Sequence, residues 1–246
     1  LKDKNHVYIA SFDGLYIIDT GTGELLHYSL LKENEDATQR NHVLSLLRMK
    51  NGAVLAGTAA QGIFRINQSE SGPVISQVAD SRFLAANGVN LDRRHRLFED
   101  SKGLLWIVDY SGLHKLDLDP PAVVSYRLFE KINYPDAWSI VEDSHENLWI
   151  GTHYGLCCFN KASGEVKLYD RGNGLPITIH GLNSVFRDHD GRLYFGGIGG
   201  FYDFLPESLV VNDFTPPVVI TDFRLFDKSL GEDTSGLFTG AEDIHF

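Results

Sequence analysis

The chain of 246 residues is 43% hydrophobic and 22% charged, enough to bury a core as one large or two small domains. Thirty-three acids against 22 bases leave a formal charge of −11, which at long range repels phosphate backbones and anionic lipid surfaces, so no nucleic-acid partner is expected. No run approaches the roughly eighteen uncharged apolar residues of a membrane span, and the opening LKDKNHVYIA lacks the basic and apolar regions of a signal peptide.

The chain opens on Leu1 inside a repeat unit and is therefore read as a piece of a longer protein. Five related phrases follow: DKNHVYIASFDGL (3–15), RMKNGAVLAGTAAQGI (48–63), EDSKGLLWIVDYSGL (99–113), EDSHENLWIGTHYGL (142–156) and RDHDGRLYFGGIGGF (187–201). Their anchors Tyr8, Leu55, Trp106, Trp149 and Tyr194 are spaced 47, 51, 43 and 45 residues apart. Such a period belongs to propeller blades, which run about 40 to 50 residues each.

Within each unit the pieces keep one order. An A strand such as WSIVED from Trp138 or NSVFRD from Asn183 ends in a turn (KNG, DSKG, DSHEN, DHDG) whose Asp, Asn and Gly suit a hairpin. Strand B (LLWIV, NLWIG, RLYFG), a short loop, strand C (GLHKLDL, GLCCFN, GFYDFL), a turn such as KASGE and a strand D such as EVKLY complete the unit. No helical periodicity of useful length interrupts them. The expected fold is therefore all-β: a propeller of four-stranded antiparallel blades over residues 1–211, four complete and one partial, the first lacking strand A. From residue 212 the text changes to NDFTPPVVITDFRLFDKSL, where a Pro pair precedes an alternating run, and residues 212–246 are expected to begin a second, truncated β module.

The unit I-x-E-D-S-x-G-x-L-W-I-G-T-x-x-G-L, fullest from Ile140 to Leu156, resembles the two-component regulator propeller repeat. The segment Pro216-Pro217-Val218-Val219-Ile220 resembles the start of the triple-tyrosine (Y_Y_Y) β-sandwich that comes after such propellers. The resemblance implies the periplasmic or extracellular sensor region of a membrane histidine kinase, often a hybrid two-component system, with a diguanylate cyclase as the other known output. It further implies a homodimeric parent, membrane attachment through a transmembrane helix outside these residues, and a response to polysaccharide fragments. The kinase domains lie outside this region, so no catalysis is expected of it. Departures from the repeat are Leu55 in place of Trp, an extra residue before Gly62, and Glu146 in place of Gly.

Candidate chemistry has a structural reading beside it at each place. The strand-B aromatics repeat too strictly for sugar stacking and are expected to fill the layers between blades. Glu99-Asp100 and Glu142-Asp143 sit at equivalent hairpin turns, where capping outranks acid–base catalysis. Ten histidines show no metal-ligand spacing, and neither a metal nor another cofactor is expected. Adjacent Cys157 and Cys158 on a strand should face opposite layers, and GGIGG at 196–200 is a turn rather than a phosphate loop.

Geometry singles out one face. The loop that leads into strand A and the loop between B and C emerge at the same sheet edge. They carry Asp13, His42, Arg93, Arg94, Asp109, Tyr110, Tyr134, Asp136, Trp138, His153, Tyr154 and His180, with Phe12 and Asn183 beside them. This aromatic and polar crown is the expected ligand site, suited to an oligosaccharide or another small ligand. Two other readings remain: a glycosidase or lyase, which needs paired carboxylates or a His-held metal, and a structural dimerisation scaffold without a ligand.

Overall fold

A computed structural model of the chain describes residues 1–30, 41–91, 95–126, 128, 137–176, 179–209, 224–225 and 228–229. The chain divides into two compact units, Leu1–Val210 and Val211–Phe246.

The first unit is a succession of antiparallel β-sheets. Blade 1 is β1 (His6–Ser11), β2 (Gly14–Asp19) and β3 (Leu25–Tyr28). Blade 2 is β4 (Val43–Arg48), β5 (Val54–Thr58), β6 (Gly62–Ser69) and β7 (Gly72–Asp80). Blade 3 is β8 (Arg96–Glu99), β9 (Leu105–Val108), β10 (Leu113–Leu118) and β11 (Pro121–Tyr126). Blade 4 is β12 (Ala137–Glu142), β13 (Asn147–Thr152), β14 (Leu156–Asn160) and β15 (Val166–Tyr169), and blade 5 is β16 (His180–Arg187), β17 (Leu193–Gly197) and β18 (Gly200–Phe204). The fold is thus a β-propeller blade array, with three four-stranded sheets and two three-stranded ones among the described residues. The expected fourth complete blade, blade 5, shows its first three strands, and residues 210–223 lie outside the described residues.

Blade 1 holds more than expected. Leu1 and Tyr8 exchange backbone hydrogen bonds at 2.8 and 3.0 Å, and Lys2 bridges Val7, so the first two residues already lie antiparallel to β1 as the end of an A strand. One helix was not legible: α1 (Ser81–Ala86), capped by the Asp80 side chain on Phe83 N at 2.7 Å, buries only Leu84, and six residues are too few to show a period. In the second unit, β19 (Arg224–Leu225) pairs with β20 (Lys228–Ser229). The other residues of 212–246, where the start of a Y_Y_Y sandwich is expected, lie outside the described residues.

The first strands β4, β8, β12 and β16 lie side by side, with β1 next to β4, and so form the inner wall of the array. The core is layered between blades. Trp106 is buried among Ile140, Leu148 and Phe159 of blade 4, and Trp149 among Leu193, Phe195 and Phe204 of blade 5. Tyr8 reaches into blade 2 and Leu55 into blade 3 in the same way. Cys157 joins the layer on one side of blade 4 and Cys158 the layer on the other, both as free thiols, as the alternation of a strand requires.

The motif residues divide this work. Asp100 Oδ1 accepts Lys102 N and Leu104 N, while its Oδ2 accepts Trp106 Nε1 at 2.9 Å; Asp143 repeats the pattern on His145 N, Asn147 N and Trp149 Nε1. Asp188 takes the Tyr194 hydroxyl and Asp3 the Tyr8 hydroxyl, so one carboxylate both closes the turn and satisfies the polar tip of the anchor. The glutamates do something else: Glu142 accepts Ser101 N at 2.6 Å and Ser101 Oγ at 2.9 Å, and Glu99 accepts Lys50 N at 2.7 Å, each clasping the turn of the preceding blade. Lys161 Nζ joins Asp100 at 2.7 Å to Glu142 at 2.5 Å. The glycine of W-I-G-T is required by its own A strand and by the next blade: a Cβ on Gly151 would stand 2.5 Å from Ser139 Oγ of β12 and 3.0 Å from His180 Cγ of blade 5.

Candidate functional site

The crown loops come from five places, and each is built differently. In blade 1 the tight β1–β2 turn throws Phe12 into solvent at 77% exposure, and its ring meets His42 at the start of blade 2 edge-on at 4.8 Å. Asp13 beside it accepts the Tyr16 hydroxyl at 2.9 Å, and its carbonyl takes Asn41 Nδ2 and bonds His27 Nε2.

In blade 3 Asp109 is fully buried. Its carboxylate accepts Ser111 N, Gly112 N, Asn90 N and the Ser111 hydroxyl, and His114 Nε2 lies at 3.2 Å. Burial pushes its pKa up, but the His114 bond and charge, with the Ser111 and Asn90 bonds, outweigh that and hold the carboxyl below the ordinary carboxylate range. Asp109 therefore works as a loop brace in the place where blades 2 and 4 use Thr58 and Thr152, whose hydroxyls donate to Gly62 O and Gly155 O. What it presents outward is Tyr110, 37% exposed, its hydroxyl accepting Asn90 Nδ2 at 2.6 Å.

Blade 4 contributes three rings in succession. Trp138 lies 6.2 Å from His153, and His153 meets Tyr154 edge-on at 5.2 Å, with Tyr154 47% exposed. His180 at the start of blade 5 is 1% exposed: Nδ1 donates to Thr152 O at 2.8 Å, and in that tautomer Nε2 accepts the Tyr202 hydroxyl at 2.6 Å. Burial pushes the Tyr202 phenol upward, in keeping with its role as donor.

Of the twelve residues expected at the site, Asp109 and His180 are thus turned into the fold. Asp13, His42, Tyr110, Trp138, His153 and Tyr154 sit on the crown, and Arg93, Arg94, Tyr134 and Asp136 lie outside the described residues. One surface residue was missed. Ile198, at the β17–β18 turn, is 74% exposed. Phe12, Tyr110, Tyr154 and Ile198 each precede their loop's glycine by one or two places, so four of the five loops end in a large exposed side chain, a pattern readable from the aligned repeats.

The described crown offers faces for apolar or sugar C–H surface and scattered hydrogen-bonding groups; its two carboxylates, Asp13 and Asp109, are on different blades, and Asp109 is wholly committed. Among the described residues no group of three or more His, Cys, Asp or Glu could hold a metal ion. No described helix is long and apolar enough to cross a membrane.

Residues 132–154 match the two component regulator propeller family. A 115-residue stretch is 32% identical to histidine kinase P4 of Formosa agariphila, covering 44% of this chain and 8% of that kinase. The extracellular domain of the hybrid two component system BT3049 of B. thetaiotaomicron is similar over 93% of this chain and 31% of that one, with a TM-score of 0.66 at 23% identity. Virginiamycin B lyase of Staphylococcus aureus is also similar, over 83% of this chain and 67% of the lyase, with a TM-score of 0.55 at 17% identity. At such identities these solved structures bear on the fold, and the chain spans less than a third of the kinase-type relatives it matches.

Proposed function

We propose that the chain is part of the extracytoplasmic, ligand-sensing region of a two-component membrane sensor, and that its crown receives a carbohydrate fragment. The observation that carries the reading is the run of rings Trp138, His153 and Tyr154, with the Phe12 and Tyr110 rings and the aliphatic Ile198 exposed at other loop tips. Rings present flat apolar surface to sugar C–H groups, and the neighbouring hydroxyls and imidazoles suit sugar hydroxyls. The likeness to a histidine kinase and to extracellular domains of hybrid systems supports placing this region outside the cytoplasm. In this reading the region itself does no chemistry, the parent sensor dimerises, and its attachment to the membrane lies elsewhere in the protein.

A glycan array followed by thermal-shift titration tests the reading, because a ligand bound only by the folded chain raises Tm. The expected result is a saturable rise with an oligosaccharide that Tyr154→Ala weakens by about tenfold, the scale of one lost ring contact. A glycan that is turned over without raising Tm would replace the sensor with an enzyme. No response to any glycan would leave a scaffold.

A further inference from the structure

Three of the four layers between blades are plugged by a leucine from the connection that leaves the preceding blade. Tyr28, opposite Leu15, and Tyr126, opposite Leu113, end the outermost strands of blades 1 and 3. Two residues later Leu30 and Leu128 are buried in the layer shared with the next blade. After blade 2 the helix α1 supplies Leu84 for the same purpose.

Blade 4 departs from this. Tyr169 stands opposite Leu156 in the same register, but two residues on is Arg171, exposed in a turn that the Asp170 carboxylate caps on Gly172 N at 2.7 Å. No leucine follows Tyr169 in that place, and Leu175 and Leu209 join the layer only partly buried. What is left is a cavity of about 210 Å3 between blades 4 and 5, lined chiefly by Leu156, Tyr169, Leu175, Tyr202, Phe204 and Leu209.

The polar groups around it are few. Asp203 is the one charged residue among the described residues that line the cavity, and Arg192 pairs with it. The Tyr202 hydroxyl is bonded to His180 Nε2. Tyr169 is different: it is 8% exposed, and its hydroxyl has no hydrogen-bond partner among the described residues. Burial pushes its phenol up, so the hydroxyl keeps its proton.

We propose that this cavity binds a small neutral aromatic compound bearing a hydroxyl group, a phenol, with its ring among the apolar walls and its oxygen bonded to the Tyr169 hydroxyl. Volume decides the class. An apolar protein cavity of roughly 150 Å3 already takes benzene, whereas sites for larger ligands begin at about 300 Å3, so one ring fits here and an oligosaccharide does not. The paired state of Asp203 leaves no charge for an ion to meet, and the stranded Tyr169 hydroxyl favours a ligand that can bond to it over a bare hydrocarbon. The site stands apart from the crown and from the carbohydrate reading of it.

Titration of the 246-residue chain with phenol, followed by ligand-observed NMR, tests this, with toluene as the ring that lacks the hydroxyl. Phenol should bind saturably, and its ring protons should show NOEs to the methyl groups of Leu156 and Leu175. Tyr169→Phe should weaken phenol about fivefold, the scale of one neutral hydrogen bond, and leave toluene as it was. Leu175→Trp, which fills the cavity, should weaken phenol by at least about tenfold. Absence of saturable phenol binding, toluene bound where phenol is not, or phenol affinity unchanged in Tyr169→Phe or in a folded Leu175→Trp chain would overturn the proposal. Should Leu175→Trp fail to fold, the wild-type NOEs decide: contacts to the crown ring of Tyr154 with none to Leu156 or Leu175 overturn it as well.

Discussion

Met49 packs in the same apolar cluster as Leu55, and the two stand where Asp100 and Trp106 are hydrogen-bonded one blade later. The acid and the indole are absent together from blade 2. Asp143→Ala should therefore be costly, since it strands a buried indole N–H and two turn amides; about 2–4 kcal/mol is expected from urea unfolding. The double change Asp143→Met with Trp149→Leu, copying blade 2, should cost less than the sum of its two single changes, and a strictly additive cycle would show that the pair is not coupled.

Gly151→Ala should destabilise by about 1–3 kcal/mol, because the added methyl meets Ser139 Oγ and the His180 ring from the next blade. Pairing it with Ser139→Ala should recover part of the loss. A single change within a few tenths of wild type would mean that the blades slide apart easily.

Glu146→Gly should stabilise. Glu146 sits at φ 64° in the turn position where blades 2, 3 and 5 have Gly52, Gly103 and Gly191 at φ 80° to 90°. A non-glycine residue there carries about 1 kcal/mol of strain, more than its exposed ion pair with Lys102 returns. The expected gain is at most about 0.5 kcal/mol once the lost ion pair and the extra freedom of an unfolded glycine are counted, visible as a slightly higher urea midpoint.

The blade grammar could be read from the repeats because its reasons are local: a turn acid, an anchor six residues later, a glycine two residues beyond that. The reach of Glu142 to Ser101 could not, since it spans 41 residues and joins two blades. Asp109 and His180 read as surface residues because polarity in a loop says nothing about which way a side chain turns; only the bonds to Gly112 N and Thr152 O settle that.

Acid should loosen the joint between blades 3 and 4. Burial pushes Asp100 up, but its bonds with Lys161 and Trp106 outweigh this and hold it below the ordinary carboxylate value. A depressed folded pKa gives stability that is whole above the unfolded value of about 4 and is lost as pH falls through the folded one. Lys161, held above its ordinary value by Asp100 and Glu142 against the pull of burial, stays charged throughout that window. Lys161→Met should lose about 2–4 kcal/mol at neutral pH and begin acid unfolding at a higher pH in a circular dichroism titration.

Neither thiol should react in the folded chain. Burial, with Cys158 alongside, pushes Cys157 up to about 12, and burial with the Asp143 charge does the same for Cys158. Iodoacetamide at pH 8 should label both only after denaturant is added.

The carboxylate of Glu142 on the turn of the preceding blade, like that of Glu99 on Lys50 N, fastens a sheet to its neighbour. Such an array behaves as a one-dimensional chain of couplings. Amide hydrogen exchange should then be coupled between clasped neighbours, so that Glu142→Gln speeds exchange in blades 3 and 4 together, like two links let go at one joint.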